Sequence, residues 1–437
     1  MNMIRCTTMN ILIKDTLILP MSAPDVYLSG SIAITDGIII SVGSIDSSFT
    51  PDTIIDGRDH IAIPGLINAH THASMQYFKN FNDTAPTLEA WLEQVWRYEH
   101  LLTEEDIYIA SNAAISEMIM GGTTCFADMY FFNHITAQAT IENKMNANIG
   151  LTLFGDEKDS IKRIESSLSP LKNIRDNSNG SILFDVAPHA IYTCSDKTFE
   201  LARDLALQED INLHTHASES TFEVEQSYKN NNLSPIAYLD SLNALTPRTN
   251  IAHVVHPKEG DIEIFKRTKA HIIHNPSSNC KLGNGIAPIS EYMNNGILVA
   301  LGTDGSSSNN TLDMFKEMRL AAMISAALTH NPIAITPYEV LSMATINGAK
   351  ALNREATSGS IEVGKDADIV LLNTNTPSLS PMNNPFSAVV FGASSQDVDT
   401  VIIKGNIVYK DKEFTYLDIE KTKDAIKRQW KDILKRI

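Results

Sequence analysis

Residues 297–305 read ILVALGTDG, five apolar residues running into Gly-Thr-Asp-Gly. A short apolar run closed by turn residues reads as a buried strand. Seven more such runs come before it: AIPGLINAH (62–70), TTCFADMYF (123–131), ANIGLTLFG (147–155), ILFDVAPHA (182–190), INLHTHA (211–217), NIAHVVH (250–256) and AHIIHN (270–275). Helix signals fill the intervals. Thr103 with Asp106 resembles a capping box, Gly121-Gly122 would stop that helix, and Ser195 precedes DKTFELARDLALQ. Thr336-Pro337 opens YEVLSMATINGAKAL with proline at the first helical position. An open doubly wound sheet would show the same alternation, so the count decides. Eight strands, each followed by a helix, is the repeat of a (β/α)8 barrel, and 297–305 is the eighth.

Outside this repeat the two ends of the chain look alike. ILIKDTLIL and SIAITDGIIISVGS, within 9–46, read as short strands with a hairpin turn at Asp36-Gly37. DADIVLLN and DTVIIKGNIVY near the other end read the same way, with a turn at Gly405-Asn406. Neither half buries a sheet face alone, so the two are expected to pair. The expected fold is α/β: a TIM-like (β/α)8 barrel over 62–355. A small β-sandwich domain is built from both termini, 1–61 and 356–437, and a last helix lies near 417–436.

The chain has 437 residues, enough for two structural units, and its 43% hydrophobic content allows a large core. Its 35 basic and 52 acidic residues leave a net charge of -17. So acidic a surface repels phosphate backbones and anionic lipid, which argues against nucleic acid and membrane partners. The four cysteines, Cys6, Cys125, Cys194 and Cys280, form no CxxC pair and read as reduced thiols. The apolar run at 11–13 is broken by Lys14 and Asp15, so no signal peptide is expected, and a cytoplasmic location follows.

The polar residues with chemistry gather at the ends of the apolar runs: His70, His72, His189, His214, His216, His253, His274 and Asp304. In a barrel those ends open on one mouth. Imidazoles with a carboxylate suit zinc or iron in a site with an open position. His70-Thr71-His72 puts two imidazoles on one side of an extended segment. A lone HxH is a weak signal. His216, Glu219 and Asp304 downstream strengthen it, and by spacing His214 is as eligible as His216.

PGLINAHTHA, LHTHASE, HNPSSNCKLGNGIAP and LGTDGSSSNN resemble the amidohydrolase superfamily. More narrowly, they resemble its 5-methylthioadenosine/S-adenosylhomocysteine deaminases and the related triazine chlorohydrolases. The resemblance covers nearly the whole chain. It implies hydrolytic deamination of the adenine ring of a small nucleoside, with one Zn2+ per chain and Fe2+ or Mn2+ as alternatives. His70, His72, His216 and Asp304 match the metal ligands. Glu219 matches the proton-shuttling glutamate, which also contacts substrate. His253 matches the histidine that, with Asp304, holds the attacking group, and His256 is its competitor. His189 stands where binuclear relatives carry a carboxylated lysine, which implies a single metal and a substrate-contacting histidine. Glu99 matches a ribose-binding residue, Trp91 a pocket wall and Ser308 a further ligand contact.

The remaining candidates read as structural: His214 and His274 supporting the site, His271, Asp128 and Asp185 without a catalytic part. Relatives that accept S-adenosylhomocysteine place an arginine just after strand 3. Here the one arginine in LTLFGDEKDSIKR is Arg163, out of register, with Lys158 as the other side chain that could reach in, which implies a preference for small uncharged 5′ groups. The alternatives are a guanine deaminase or a triazine-type chlorohydrolase, disfavoured by Glu99 and His189. A non-enzymatic assembly protein on a decayed barrel should have lost ligands, and none is lost. The partner expected is a small-molecule nucleoside, and a homo-oligomer is left open.

Overall fold

The computed structural model describes residues 9–81 and 83–436, so Cys6 lies outside the described residues. Eight parallel strands form one sheet in sequence order: β1 (Leu66–Thr71), β2 (Thr123–Asp128), β3 (Asn146–Leu153), β4 (Ile182–Pro188), β5 (Leu213–Ala217), β6 (Thr249–His253), β7 (His271–His274) and β8 (Val299–Leu301). β8 returns beside β1. The seam there is closed by the Asp304 N–H donating to His70 O at 3.0 Å. Asn68 adds a bond in each direction, its amide donating to Thr303 Oγ1 at 2.7 Å and its Oδ1 accepting from Thr303 N–H at 2.9 Å. β1, β2 and β3 are buried on both faces, which is why these strands read as continuous apolar runs rather than alternating ones.

Two readings are refined. The 62–70 run is two strands in two sheets. His60–Pro64 pairs with Ile369–Asn373 in the second sheet, and β1 starts at Leu66. Apolar continuity cannot reveal a change of partner. The eighth run yields a strand of only three residues, because Asp304 turns the chain into the left-handed region at φ 61°.

The second sheet has nine strands drawn from both ends of the chain. Its link is His60–Pro64, parallel to Asn10–Ile18 and antiparallel to Ile369–Asn373. The hairpin at Asp36-Gly37 forms as expected, with both residues at positive φ. The C-terminal turn sits one residue earlier than read, at Lys404-Gly405 (φ 46° and 73°), and Asn406 already starts its strand. These two turns touch. A Cβ on Gly37 would lie 2.5 Å from Lys404 O, and one on Gly405 2.5 Å from Gly37 Cα. Glycine is required at both by contact as well as by φ.

The capping box at Thr103 and Asp106 is present, and Glu104–Met120 ends at Gly121. The last helix runs Ile419–Ile433 and sets Trp430 against Tyr77, Phe78, Phe81 and Tyr98. Among the described residues no helix is long and apolar enough to cross a membrane.

The end of the barrel opposite the mouth is plugged by Arg354, which is 5% exposed. Its guanidinium donates to Asn148 Oδ1 (2.7 Å), Ala147 O (2.8 Å), Gly180 O (3.0 Å) and Ser181 O (3.0 Å). A charge at that end serves stability rather than chemistry. Arg354→Met, which leaves buried acceptors without a donor, is expected to lower unfolding free energy by about 3–5 kcal/mol. The check is the urea midpoint; a loss under about 1 kcal/mol would show that water replaces the guanidinium.

Candidate active site

The strand ends deliver their polar residues to one point. β1 places His70 inside the barrel and His72 just past its end, two residues apart on one face. β5 brings His216, and the turn after β8 brings Asp304. His216 Nε2 lies 3.2 Å from His70 Nε2 and 3.3 Å from His72 Nε2. Asp304 Oδ1 lies 3.5 Å and 3.3 Å from the same two nitrogens. The outward nitrogens are otherwise engaged. His72 Nδ1–H donates to Met129 O at 2.5 Å and His216 Nδ1–H to His189 O at 2.7 Å. A carbonyl only accepts, so those Nδ1 atoms carry the protons and the Nε2 lone pairs face inward.

Lone pairs that converge in this way repel unless a cation sits among them. Ligands at about 2.0–2.1 Å from a tetrahedral ion stand about 3.3 Å apart, the spacing seen here. The four residues therefore fit a divalent metal. A second grouping, His70, His216 and His253, has ligand atoms within 4.8 Å of one another, so His253 borders the same point.

The electrostatics agree. Burial drives His70 down to about 4 and His216 well below its ordinary value. Both are thus neutral imidazoles, as ligands must be. Burial pushes the Asp304 carboxyl up, but His70 and His72 outweigh it and hold the group well below the usual carboxylate range. His72, also pulled down by burial, is carried up to about 9 by Asp304.

Glu219, which is 5% exposed, accepts from Asn284 Nδ2 at 3.0 Å and stands 3.8 Å from His253 Nε2. Burial raises its carboxyl, which suits a group that must both take and give a proton. His253 Nδ1 pairs with Asn279 Oδ1 at 2.8 Å. His256 points away and donates to Asn284 O at 2.6 Å, so of the two candidates His253 is the one at the centre. His253 and Asp304 both have positive φ, 78° and 61°. Strained backbone of this kind, costing about 1–3 kcal/mol per residue, collects at functional sites.

A cavity opens over this point. Its wall includes His72, Trp91, Glu99, Tyr130, Phe154, His189, His216, Glu219, His253 and Asp304. Glu99 accepts from Tyr130 Oη at 2.7 Å, and the Trp91 indole N–H is buried without a partner. His189 stacks on Phe154, centroids 4.9 Å apart, and its Nδ1 pairs with Thr193 Oγ1 at 2.8 Å.

Ser308 is the exception. It is 2% exposed, lies behind Asp304 rather than at the cavity wall, and donates to Asp304 Oδ2 at 2.7 Å. A one-turn helix, Ser306–Asn309, turns its hydroxyl inward. His214 lies beside His70, its Nε2 3.0 Å from His70 Nδ1. His274 is buried with both ring nitrogens unpartnered. Asp128 accepts from Ala73 N–H at 2.7 Å and Asp185 from Asn148 Nδ2 at 3.1 Å. His271 pairs with Asn250 at 3.1 Å. Arg163, set aside as out of register, lies with its guanidinium carbon 5.3 Å from the centroid of Phe154. Tyr130, Ser278, Asn279 and Asn284 were not singled out from sequence, although the last three lie within HNPSSNCKLGNGIAP.

Residues 61–408 match the amidohydrolase family. A 5-methylthioadenosine/S-adenosylhomocysteine deaminase of Thermoanaerobacter pseudethanolicus is 38% identical, over 98% of this chain and 100% of that one. A 5′-deoxyadenosine deaminase of Methanosphaera stadtmanae is 40% identical, over 96% and 97%. Among solved structures, an adenosine deaminase of Xanthomonas campestris with bound zinc superposes with a TM-score of 0.93 at 30% identity, over 98% of this chain and 99% of that one.

Proposed function

Because this chain belongs to the amidohydrolase family, we propose that it deaminates the adenine ring of a small nucleoside, 5-methylthioadenosine, 5′-deoxyadenosine, adenosine or S-adenosylhomocysteine, with one Zn2+ per chain. The observation that carries the reading is the convergence of three inward-facing imidazole nitrogens and the Asp304 carboxylate beside Glu219, under one aromatic cavity that also holds Glu99. The same convergence supports His70, His72, His216 and Asp304 as ligands.

Held by His70, His72, His216 and Asp304, a divalent ion would supply Lewis-acid chemistry that lowers the pKa of water to about 7. Glu219 takes the proton of the attacking water and delivers it to ring N1. His253, fixed by Asn279, holds the attacking oxygen against C6 by a hydrogen bond. Glu219 then carries the remaining proton from the new C6 hydroxyl to the exocyclic amine, the C–N bond breaks, ammonia leaves, and an inosine-type product with a C6 carbonyl remains. Glu99, kept in place by Tyr130, accepts from the ribose hydroxyls, while Trp91 and His189 donate to or pack on the purine.

Ammonia release from 5-methylthioadenosine, adenosine and guanine, and chloride release from a chlorotriazine, test the reading. Turnover of guanine or the triazine with none of the nucleosides would overturn it. Within the nucleosides, 5-methylthioadenosine is expected to exceed S-adenosylhomocysteine in kcat/KM by about one to two powers of ten. That is the value of one absent charged hydrogen bond of about 1.5–3 kcal/mol. Arg163 is held over Phe154 rather than free. Equal values would defeat this expectation, and a selective loss of S-adenosylhomocysteine activity in Arg163→Ala would then identify the cation.

A further inference from the structure

We propose that Glu317 is a positioning residue: from outside the cavity it ties together the two short helices that grip the Asp304 carboxylate, keeping Oδ1 turned to the point where the imidazoles converge. The proposal rests on the reading of Asp304 as a metal ligand.

Glu317 is fully buried on the Met314–Thr329 helix. Its Oε2 accepts from Ser277 N–H at 3.0 Å, on the Pro276–Lys281 helix. Its Oε1 accepts from Asn309 Nδ2 at 2.8 Å, on the Ser306–Asn309 helix. Each contact is one residue from a serine that touches Asp304. Ser278 Oγ donates to Asp304 Oδ2 at 2.6 Å and Ser308 Oγ to the same oxygen at 2.7 Å. Asn279, next along, is the partner of His253.

Two hydroxyls on Oδ2 leave Oδ1 to face His70 and His72, with the Gly305 N–H donating to it at 2.7 Å. The rotation of the carboxylate therefore depends on both serines, and both serines depend on the spacing of two helices that come from different barrel loops. One buried carboxylate contacts both helices, beside the direct bond from Lys281 Nζ to Ser307 O at 2.7 Å. Burial pushes this carboxyl up to about 7 against the hydrogen bonds from Ser277 and Asn309. A group with packing as its only task would be served better by an apolar side chain of that size.

The test uses the full-length enzyme with Glu317→Leu and Glu317→Gln, each made in the natural sequence and in a Ser278→Ala/Ser308→Ala background. Two quantities are read: steady-state kinetics on 5-methylthioadenosine and the rate at which bound metal passes to EDTA. In the natural background Glu317→Leu should lower kcat by about 10–100-fold and speed metal release by about tenfold or more, the range for groups that orient metal ligands. KM should stay within about threefold, since no substrate contact is lost. Glu317→Gln, which keeps one carbonyl acceptor, should fall between.

In the double-serine background Glu317→Leu should remove no more than about another twofold, because residues acting through one path are not additive. A folded Leu variant with unchanged kcat and metal release overturns the proposal. So does an equal loss in both backgrounds, which is the signature of general destabilisation. If the Leu variant does not fold, the isosteric Gln variant carries the same comparison. A natural-sequence protein that holds no metal would instead overturn the functional reading beneath it.

Discussion

Glu219→Gln is expected to lower kcat by about 10²–10⁴-fold, the range for a placed acid–base group, while metal content stays at the wild-type level. The upper part of that range is the more apt, because in the proposed mechanism one carboxylate serves two proton transfers. Glutamine keeps the shape of the side chain, and its carbonyl still accepts from Asn284, which stands 3.0 Å from Glu219 Oε1. Only the capacity to bind and release a proton disappears. Burial holds the Glu219 carboxyl above its ordinary value, so the ionised form is a better base than a solvated carboxylate. Metal analysis beside steady-state kinetics checks the result. Activity within about tenfold of wild type, below the acid–base range, would mean that another group moves the proton.

His216→Ala should lose both metal and turnover. Its Nε2 is within 3.3 Å of both other imidazole nitrogens, so its removal opens one face of the coordination shell. The His189 carbonyl loses the Nδ1–H donated at 2.7 Å. Wild-type protein should carry one divalent ion per chain by elemental analysis, and the variant, after dialysis against a mild chelator, essentially none. Two ions per chain, or full retention in the variant, would overturn the four-ligand site. Retention of the wild-type circular dichroism spectrum separates loss of the site from loss of the fold.

The barrel was legible in the sequence because strands buried on both faces leave unbroken apolar runs, and because a barrel sets its chemistry at the ends of those runs. His70, His72, His216 and Asp304 stand at strand ends in both the sequence and the structure. What escaped notice depends on which loops meet. Asn284 reaches Glu219 across 65 residues and Ser278 reaches Asp304 across 26, and no local pattern encodes either contact. The LGTDGSSSNN motif implies a ligand contact for Ser308 but says nothing of the direction of its hydroxyl, which donates to Asp304. The split of 62–70 between two sheets was hidden for the opposite reason: both strands are buried, so both read the same.

That split strand bears on how the protein is made. His60–Pro64 leaves the ribosome early, and the strand it pairs with, Ile369–Asn373, follows about 300 residues later, roughly 15–60 s at ordinary elongation rates of about 5–20 residues per second. Throughout that interval the N-terminal half-sheet stands with an open edge, able to pair with the same edge on a neighbouring nascent chain. The barrel between them can close in the meantime. The C-terminal strands dock onto it afterwards, with the turn at Lys404-Gly405 seating on Gly37.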